Sequence, residues 1–461
     1  MKLPAYPRTK PSGIEWLGDV PEHWEVKRLK TSASCWVSNV DKVPAEDELP
    51  VRLCNYTDVY YHDHITPDME LMETTATADE IRRFGLRVGD VVITKDSEEW
   101  SDIAVPALVK KSTPDLVCGY HLAIIRSHPE SLFGDYLLRA FQSCAVNQQF
   151  QVAASGVTRY GIPKASIGHA WIPLPDLPEQ QAIAAFLDRE TGRVDRLVAK
   201  KRELIERLKE KRTALISRTV TRGLPAEAAA KAGLPVNPPL KPSGLDWLGN
   251  IPEHWDAKPL KFIALVKTGF AFSSDDFTDE GVPVLRIGDI NRDGQIDFTN
   301  AKCLPDDFLR TNRDVIVRSG DIAMAMTGAT IGKVGRYRHQ MPALLNQRVC
   351  IFRPMHGASI DYLWYLLNTD FYMEHVLLTA FGGAQPNISD TQLLACSVPV
   401  PPLTEQAAIA AYLDLETAKL DALVGKVEEA VERLQEYRTA LITAAVTGKI
   451  DVRKAALDGR A

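Results

Sequence analysis

The side chains best equipped for chemistry lie in four polar stretches, most of them interrupted by glycine. TKDSEEWSD begins at Thr94 and ASGVTRYGIPK at Ala154, while TGATIGKVG begins at Thr327 and TAFGGAQPNIS at Thr379. They contain Lys95, Thr158, Arg159, Tyr160, Thr330, Lys333, Gln385 and Asn387. These residue types read base edges: Arg or Lys donates to guanine, Asn or Gln pairs with adenine, and Ser or Thr serves either. Polar stretches of this kind are ordinarily turns on a surface. Surface turns are therefore the ordinary reading, beside which these side chains stand as candidates for contacting bases, none of them assigned singly.

Signatures of catalysis are missing. The chain has no G-x-G-x-x-G, no G-x-x-x-x-G-K-[ST], no H-E-x-x-H and no G-x-S-x-G. His23 and His254 sit in two copies of P-E-H-W with no carboxylate–histidine cluster nearby in sequence, so a structural turn is expected and no metal site. His121, in CGYHLAIIR, reads as a hydrogen-bonded core histidine. Asn237-Pro238-Pro239-Leu240 approaches the Asn-Pro-Pro-aromatic motif of adenine methyltransferases but lacks the aromatic and a preceding strand; it reads as a proline linker. The seven cysteines are scattered without a C-x-x-C, which suggests buried small hydrophobes in a reducing compartment.

Such loops need a scaffold, and an internal repeat describes it. Lys10 to Lys30 reads KPSGIEWLGDVPEHWEVKRLK, and Lys241 to Lys261 reads KPSGLDWLGNIPEHWDAKPLK. A second pair closes each half: PEQQAIAAFLDRETGRVDRLVAKKRELIERLKEKRTALISRTVTRG from Pro178 and TEQAAIAAYLDLETAKLDALVGKVEEAVERLQEYRTALITAAVTGK from Thr404. The openings are 231 positions apart and the closings 226, so the dissimilar middles differ by a net five residues. Matching ends around different middles suggest one scaffold carrying two recognition surfaces.

Each closing segment is an uninterrupted run of helix-forming residues ended by Gly223 or Gly448. At 1.5 Å per residue each helix would be roughly 60 Å long. Leu413, Leu420, Val427, Leu434 and Leu441 recur every seven residues, with Leu423, Ala430 and Tyr437 on the adjoining seam. The first copy has Leu187, Val194, Lys201, Leu208 and Leu215, with Leu197 and Leu204 adjoining. This is coiled-coil spacing. Glu179 to Gly223 carries net +5 and Glu405 to Lys449 net −3, which favours pairing of the two helices with each other over pairing between chains.

The expected fold class is α+β: two pseudo-symmetric globular domains separated and joined by two long antiparallel coiled-coil helices. The boundaries are residues 1–177 for the first domain, 178–222 for the first helix, 223–240 for a linker, 241–403 for the second domain, 404–447 for the second helix and 448–461 for a tail. VPVLRIG at Val282 and DIAMAMTG at Asp321 read as strands, and IDYLWYLLNTDFYMEHVLL at Ile360 as helical. Trp16, Trp24, Trp247 and Trp255 are expected in the core. A length of 461 residues with 45% hydrophobic content allows several cores. Neither a secretion signal nor an apolar membrane span is visible, so a cytoplasmic protein is expected. The net charge is −6, and −8 outside the two helices, which argues that phosphate contacts come partly from a partner.

The S-G-x-x-W-L-G-x-x-P-x-H-W opening, LNQRVCIFRP at Leu345, and the closing PLPDLPEQQAIAAFLD and VPPLTEQAAIAAYLD before long heptad helices resemble the specificity subunit of type I restriction-modification enzymes. The resemblance spans almost the whole chain. It implies two target recognition domains, each reading one half of a bipartite site on double-stranded DNA, with the paired helices, Gln180 to Thr219 and Gln406 to Thr447, setting the gap. It implies two methylation subunits as partners, which hold S-adenosylmethionine, and restriction subunits in the full enzyme, which use ATP and Mg; this chain would hold no cofactor and catalyse nothing. LVCGYHLAIIR at Leu116 stands where the second half has LLNQRVCIFR, so the halves should read different bases. A structural adaptor that organises a protein complex through its coiled coil is the alternative.

Overall fold

The computed structural model describes residues 4–291, 293–382 and 386–453. The chain forms two compact units, residues 1–202 with 428–461, and residues 203–427. The helices Leu177–Arg222 and Leu403–Val446 therefore each contribute to both units. A linear division at helix ends misses this, because each domain packs on the start of one helix and the end of the other.

In the first unit a five-stranded sheet is built from β1 (Ala33–Val37), β2 (His64–Ile65), β3 (Val91–Thr94), β4 (Pro106–Val109) and β5 (Leu122–Ser127), in the order β1-β5-β3-β4-β2. Strand β3 is buried at all four positions and pairs antiparallel with both neighbours, Ile93 facing Ala123 on one side and Pro106 on the other. Its VVIT run suits a strand covered on both faces. The second unit repeats this centre with β6 (Ala264–Thr268), β7 (Ile322–Ala325), β8 (Val334–Arg336) and β9 (Val349–Pro354), in the order β6-β9-β7-β8. Each centre is tied by a bidentate ion pair: Arg126 to Asp90 at 2.7 Å in the first, Arg353 to Asp321 at 2.6 and 2.7 Å in the second. Val282–Leu285 is a strand. The helical run from Ile360 is two helices, Ile360–Leu367 and Asp370–Thr379. Thr369 separates them by turning its hydroxyl onto the Leu366 carbonyl at 2.6 Å.

The long helices are fastened to their domains by the P-E-H-W and E-Q segments. Glu179, buried in the first helical turn, accepts from Tyr6 Oη at 2.7 Å and Trp24 Nε1 at 3.0 Å, and lies 2.8 Å from His23 Nε2. Glu405 meets Trp255 Nε1 at 2.9 Å and His254 Nε2 at 2.8 Å. Each histidine thus meets a single carboxylate from some 150 residues away in the chain, a contact that serves the docking of the helix. A carboxylate at a helix N-terminus also complements the helix dipole. The next residues, Gln180 and Gln406, are fully buried and make the same three bonds. Gln180 accepts from Phe133 N and donates to the Ser131 and Pro175 carbonyls, at 2.8–2.9 Å; Gln406 does so with Ser359, Gly357 and Pro401 at 2.8 Å.

The same tryptophans receive the helix ends. Gly223 and Gly448 terminate the helices with φ of +82° and +69°. A Cβ on Gly448 would overlap the Pro21 ring beside Trp24, and one on Gly223 would touch Trp255 at 3.4 Å. Each P-E-H-W turn thus grips the start of one long helix and the end of the other, which makes the helices antiparallel within each unit.

Leu187, Val194, Leu208, Leu413, Val427 and Leu441 are buried, and Leu215, Leu420 and Leu434 are half-buried. The adjoining row needs correction. Leu197, Leu204, Leu423 and Tyr437 are 41%, 42%, 44% and 53% exposed, whereas Val198, Ile205 and Val431 are buried. A seven-residue row admits a flanking row three or four positions on; here it is four, occupied by β-branched side chains. In the first unit Val194, Val198 and Val431 form one cluster with Leu434. Arg438 pairs with Asp195 at 3.0 Å in the first unit, and Arg212 with Asp421 at 2.9 Å in the second.

Trp24 and Trp255 are fully buried, but Trp16 and Trp247 are 38% and 47% exposed, contrary to expectation; Trp247 stacks on Phe371 at 4.3 Å. Cys54, Cys118, Cys350 and Cys396 are buried, while Cys35 and Cys303 are half-buried and Cys144 is exposed. Burial pushes the Cys35 thiol up to about 11. No helix among the described residues is long and apolar enough to cross a membrane.

Two outcomes follow. Gln180→Leu leaves one amide and two carbonyls without partners and should cost about 2–4 kcal/mol, read as a lower denaturation midpoint. Val198→Asp should cost about 2 kcal/mol or more, whereas Leu197→Asp should stay within about 0.5 kcal/mol in the same assay; equal losses would contradict the corrected seam.

Candidate nucleic-acid interface

In the first unit the polar stretches converge where β3 and β5 end. Lys95 follows β3, and its amide donates to the His121 carbonyl at 2.8 Å; His121 immediately precedes β5. Lys95 O in turn accepts from Ile162 N at 2.9 Å, which ties in the loop carrying Thr158 and Arg159. That loop is closed by reciprocal bonds, Ser155 N to Gly161 O at 3.1 Å and Gly161 N to Ser155 O at 2.9 Å. Tyr160 and Gly161 pair antiparallel with Ser97 and Asp96. Val157 at the tip is 93% exposed, and Thr158 and Arg159 are exposed with it. Gly156, at φ +149°, permits the closure, since a Cβ there would overlap the Arg159 carbonyl oxygen.

Lys95, Arg159 and Tyr160 are thereby brought together with Thr158, but Lys95 is not free: its Nζ lies 2.5 Å from Asp96 Oδ1. The other Asp96 oxygen is 2.5 Å from His121 Nδ1, and His121 Nε2 is 3.4 Å from Arg159 Nη1. Nδ1 thus faces the Asp96 carboxylate and Nε2 faces the Arg159 guanidinium. His121 is accordingly no core histidine. It is partly exposed and held at φ +68°, a left-handed conformation uncommon for a residue with a Cβ. The Tyr120 ring lies 4.1 Å from it.

Tyr56 and Tyr60 stack at 5.5 Å nearby, and the Tyr60 hydroxyl donates to Asp102. That bond and burial push the Tyr60 phenol up to about 12. Burial raises the Tyr56 phenol as well, opposed by a hydrogen bond with Ser97 and by the Arg159 charge.

The second unit repeats these main-chain bonds with other side chains, but the left-handed φ of His121 has no counterpart at Arg348. Met326 follows β7, and its amide donates to the Arg348 carbonyl at 2.9 Å; Arg348 immediately precedes β9. Met326 O accepts from Ile388 N at 3.1 Å, and the loop before Ile388 is closed by Phe381 N to Asn387 O at 2.9 Å and Asn387 N to Phe381 O at 2.8 Å. Thr330 and Asn387 are exposed and Lys333 half-buried. Asn387 bridges to Thr327, and Lys333 N donates to Thr330 O at 3.1 Å, so these three residues share one region. Gln385 lies outside the described residues. Arg348 is exposed, and its side chain pairs with no described residue. His121 and Arg348 were not singled out for base reading; the signal was their place in LVCGYHLAIIR and LLNQRVCIFR, visible once those segments are superimposed by register.

No group of three or more His, Cys, Asp or Glu among the described residues is arranged to hold a metal ion. Residues 252–433 match the model of the type I restriction modification DNA specificity domain. The chain is 28% identical over 327 residues to the type I restriction enzyme MjaVIII specificity subunit of Methanocaldococcus jannaschii, covering 68% of this chain and 71% of that protein. It is 22% identical over 447 residues to the putative MjaX specificity subunit of the same organism, covering 95% and 96%. The chain is homologous to type I restriction-modification specificity subunits.

The fold of solved specificity subunits agrees. The HsdS subunit from Thermoanaerobacter tengcongensis superimposes with a TM-score of 0.50 at 18% identity, over 94% of this chain and 98% of that one. A chain from a study of complex assembly and conformational transition of the type I R-M system gives 0.62 at 19% identity, over 94% and 99%. Two α+β domains connected by long helices are common to specificity subunits of this kind and to this chain.

The tight loop of this specificity-subunit homologue gives a test of its own. Gly156→Ala should open the Ser155–Gly161 closure, seen as roughly tenfold or faster amide hydrogen exchange at Ser155 and Gly161 with the core amides of β3 unchanged. Unchanged exchange would show that the glycine is dispensable.

Proposed function

We propose that this chain is the DNA-specificity subunit of a type I restriction-modification enzyme, each recognition domain reading one half of a bipartite site on double-stranded DNA. The observation that carries this reading is the pair of equivalent loop clusters: the same main-chain bonds hold different donors and acceptors in the two domains. A shared backbone with different base-edge groups suits two half-sites of different sequence. Arg159, Thr158 and Tyr160 would contact the first half-site, and Thr330, Lys333, Gln385 and Asn387 the second. Lys95 would act through the Asp96 pair. The chain would hold no cofactor and catalyse no step. Two methylation subunits would bring S-adenosylmethionine and adenine-N6 transfer, restriction subunits ATP and Mg, and the methylation subunits much of the phosphate contact that a chain of net charge −6 lacks. The assembly would act in the cytoplasm. The paired helices would fix the number of unread base pairs between half-sites.

Genome-wide mapping of N6-methyladenine tests this, comparing cells that express the chain with its methylation subunit against cells with the methylation subunit alone. A bipartite motif that requires the chain is expected; a confirmed complex that leaves no motif would favour a structural adaptor. Inserting one helical turn into both long helices should preserve each half-site and lengthen the gap, and unchanged spacing would sink the ruler.

A further inference from the structure

Resting on that reading, we infer that positions 121 and 348 are equivalent specificity-determining positions, one in each recognition domain: Arg348 reads a base edge directly, and His121 does so through the Arg159 guanidinium that it holds. The equivalence is set by register. His121 directly precedes Leu122, which faces Thr94; Arg348 directly precedes Val349, which faces Ala325. Both carbonyls accept the amide of the first residue after the opposing strand, Lys95 or Met326, whose own carbonyl holds the closed loop through Ile162 or Ile388. Each position is therefore anchored by a buried sheet on one side and a reciprocally bonded loop on the other. The backbone that carries each side chain is so held, which fixes where its Cα stands against the groove.

The two domains use the position differently. In the first, Asp96 fixes the His121 ring through Nδ1 and leaves Nε2 toward Arg159, so ring and guanidinium form one hydrogen-bonded pair at the base of the exposed loop. The left-handed backbone at His121 is the sort of strain that persists where the surroundings fix it for a purpose. Asp96 is a positioning residue here. Gly161 makes room for it, because a Cβ there would meet Asp96 Oδ1 at 2.8 Å. In the second domain Arg348 is exposed and paired with no described residue, and its five N–H donors fit the guanine O6 and N7 edge. The first domain thus presents the Arg159 guanidinium held against the His121 ring, and the second the Arg348 guanidinium with no partner among the described residues, so the half-sites should differ at the base these positions meet.

The test uses the chain in complex with its methylation subunit, on duplexes carrying every single base-pair substitution in the bipartite site. His121→Ala should lower discrimination roughly tenfold or more at one position of one half-site and leave the other half-site unchanged. Arg348→Ala should do the same in the other half-site only, and Asp96→Asn should reproduce part of the His121→Ala effect. If an alanine variant leaves the complex, His121→Gln and Arg348→Lys are read in the same assay, and each should still alter discrimination in its own half-site. Full discrimination in both half-sites, or a uniform loss that Arg348→Lys restores as a phosphate contact would, overturns the inference. Absence of any bipartite motif with the unmodified chain would instead overturn the reading on which it rests.

Discussion

A carboxylate sealed under an indole at the start of each long helix is the interaction on which the architecture depends. Glu179 lies beneath Trp24 and Glu405 beneath Trp255, and in both cases the neighbouring glutamine saturates its amide with one main-chain donor and two carbonyls. Burying such groups is costly unless every partner is supplied. The arrangement therefore tolerates one docking geometry of helix on domain and penalises slippage along the helix axis. Because the same tryptophan also meets the terminal glycine of the other helix, helix direction and register are decided in one small volume.

Around these fixed points the recognition domains keep what must be constant and vary what can change. The bidentate pairs Arg126–Asp90 and Arg353–Asp321 hold the central strands in both units. The loops at the strand ends share a backbone but not a side-chain chemistry. Where the first unit has Arg139 on Asp188, the second has Tyr365 Oη on Asp414 at the corresponding place, so even the helix-facing contacts accept replacement when a donor is preserved. Variation in the loop side chains can proceed without disturbing the helix anchors.

The repeat made the two long helices and the pairing of like segments legible, because near-identical residues at a fixed offset need no structural knowledge to interpret. The helix register was half legible: Leu187 and its heptad mates are inward, but Leu197 and Leu204 drew attention from Val198 and Ile205, since leucines flank the seam as readily as they fill it. His121 was misread because apolar neighbours on both sides suggested a strand interior, while the left-handed turn that lifts it out is not encoded by hydropathy. Trp16 and Trp247 share a repeat with Trp24 and Trp255 yet stay exposed, as the repeated sequence does not say which of two tryptophans faces the carboxylate. The long-range partners of His23 and His254 were out of reach for the same reason: proximity across some 150 residues is a property of topology.

The division of the chain into units has a consequence for biosynthesis. Residues 203–427 are contiguous, whereas the other unit combines residues 1–202 with 428–461. Residues 1–202 must therefore wait for residues 428–453, a delay of roughly 10–50 s at translation rates of about 5–20 residues per second. Until then Val194 and Val198 lack Val431, and Leu187 and Phe186 lack Leu441 and Ile442. Until residues 428–453 emerge, that face of the first long helix stays uncovered.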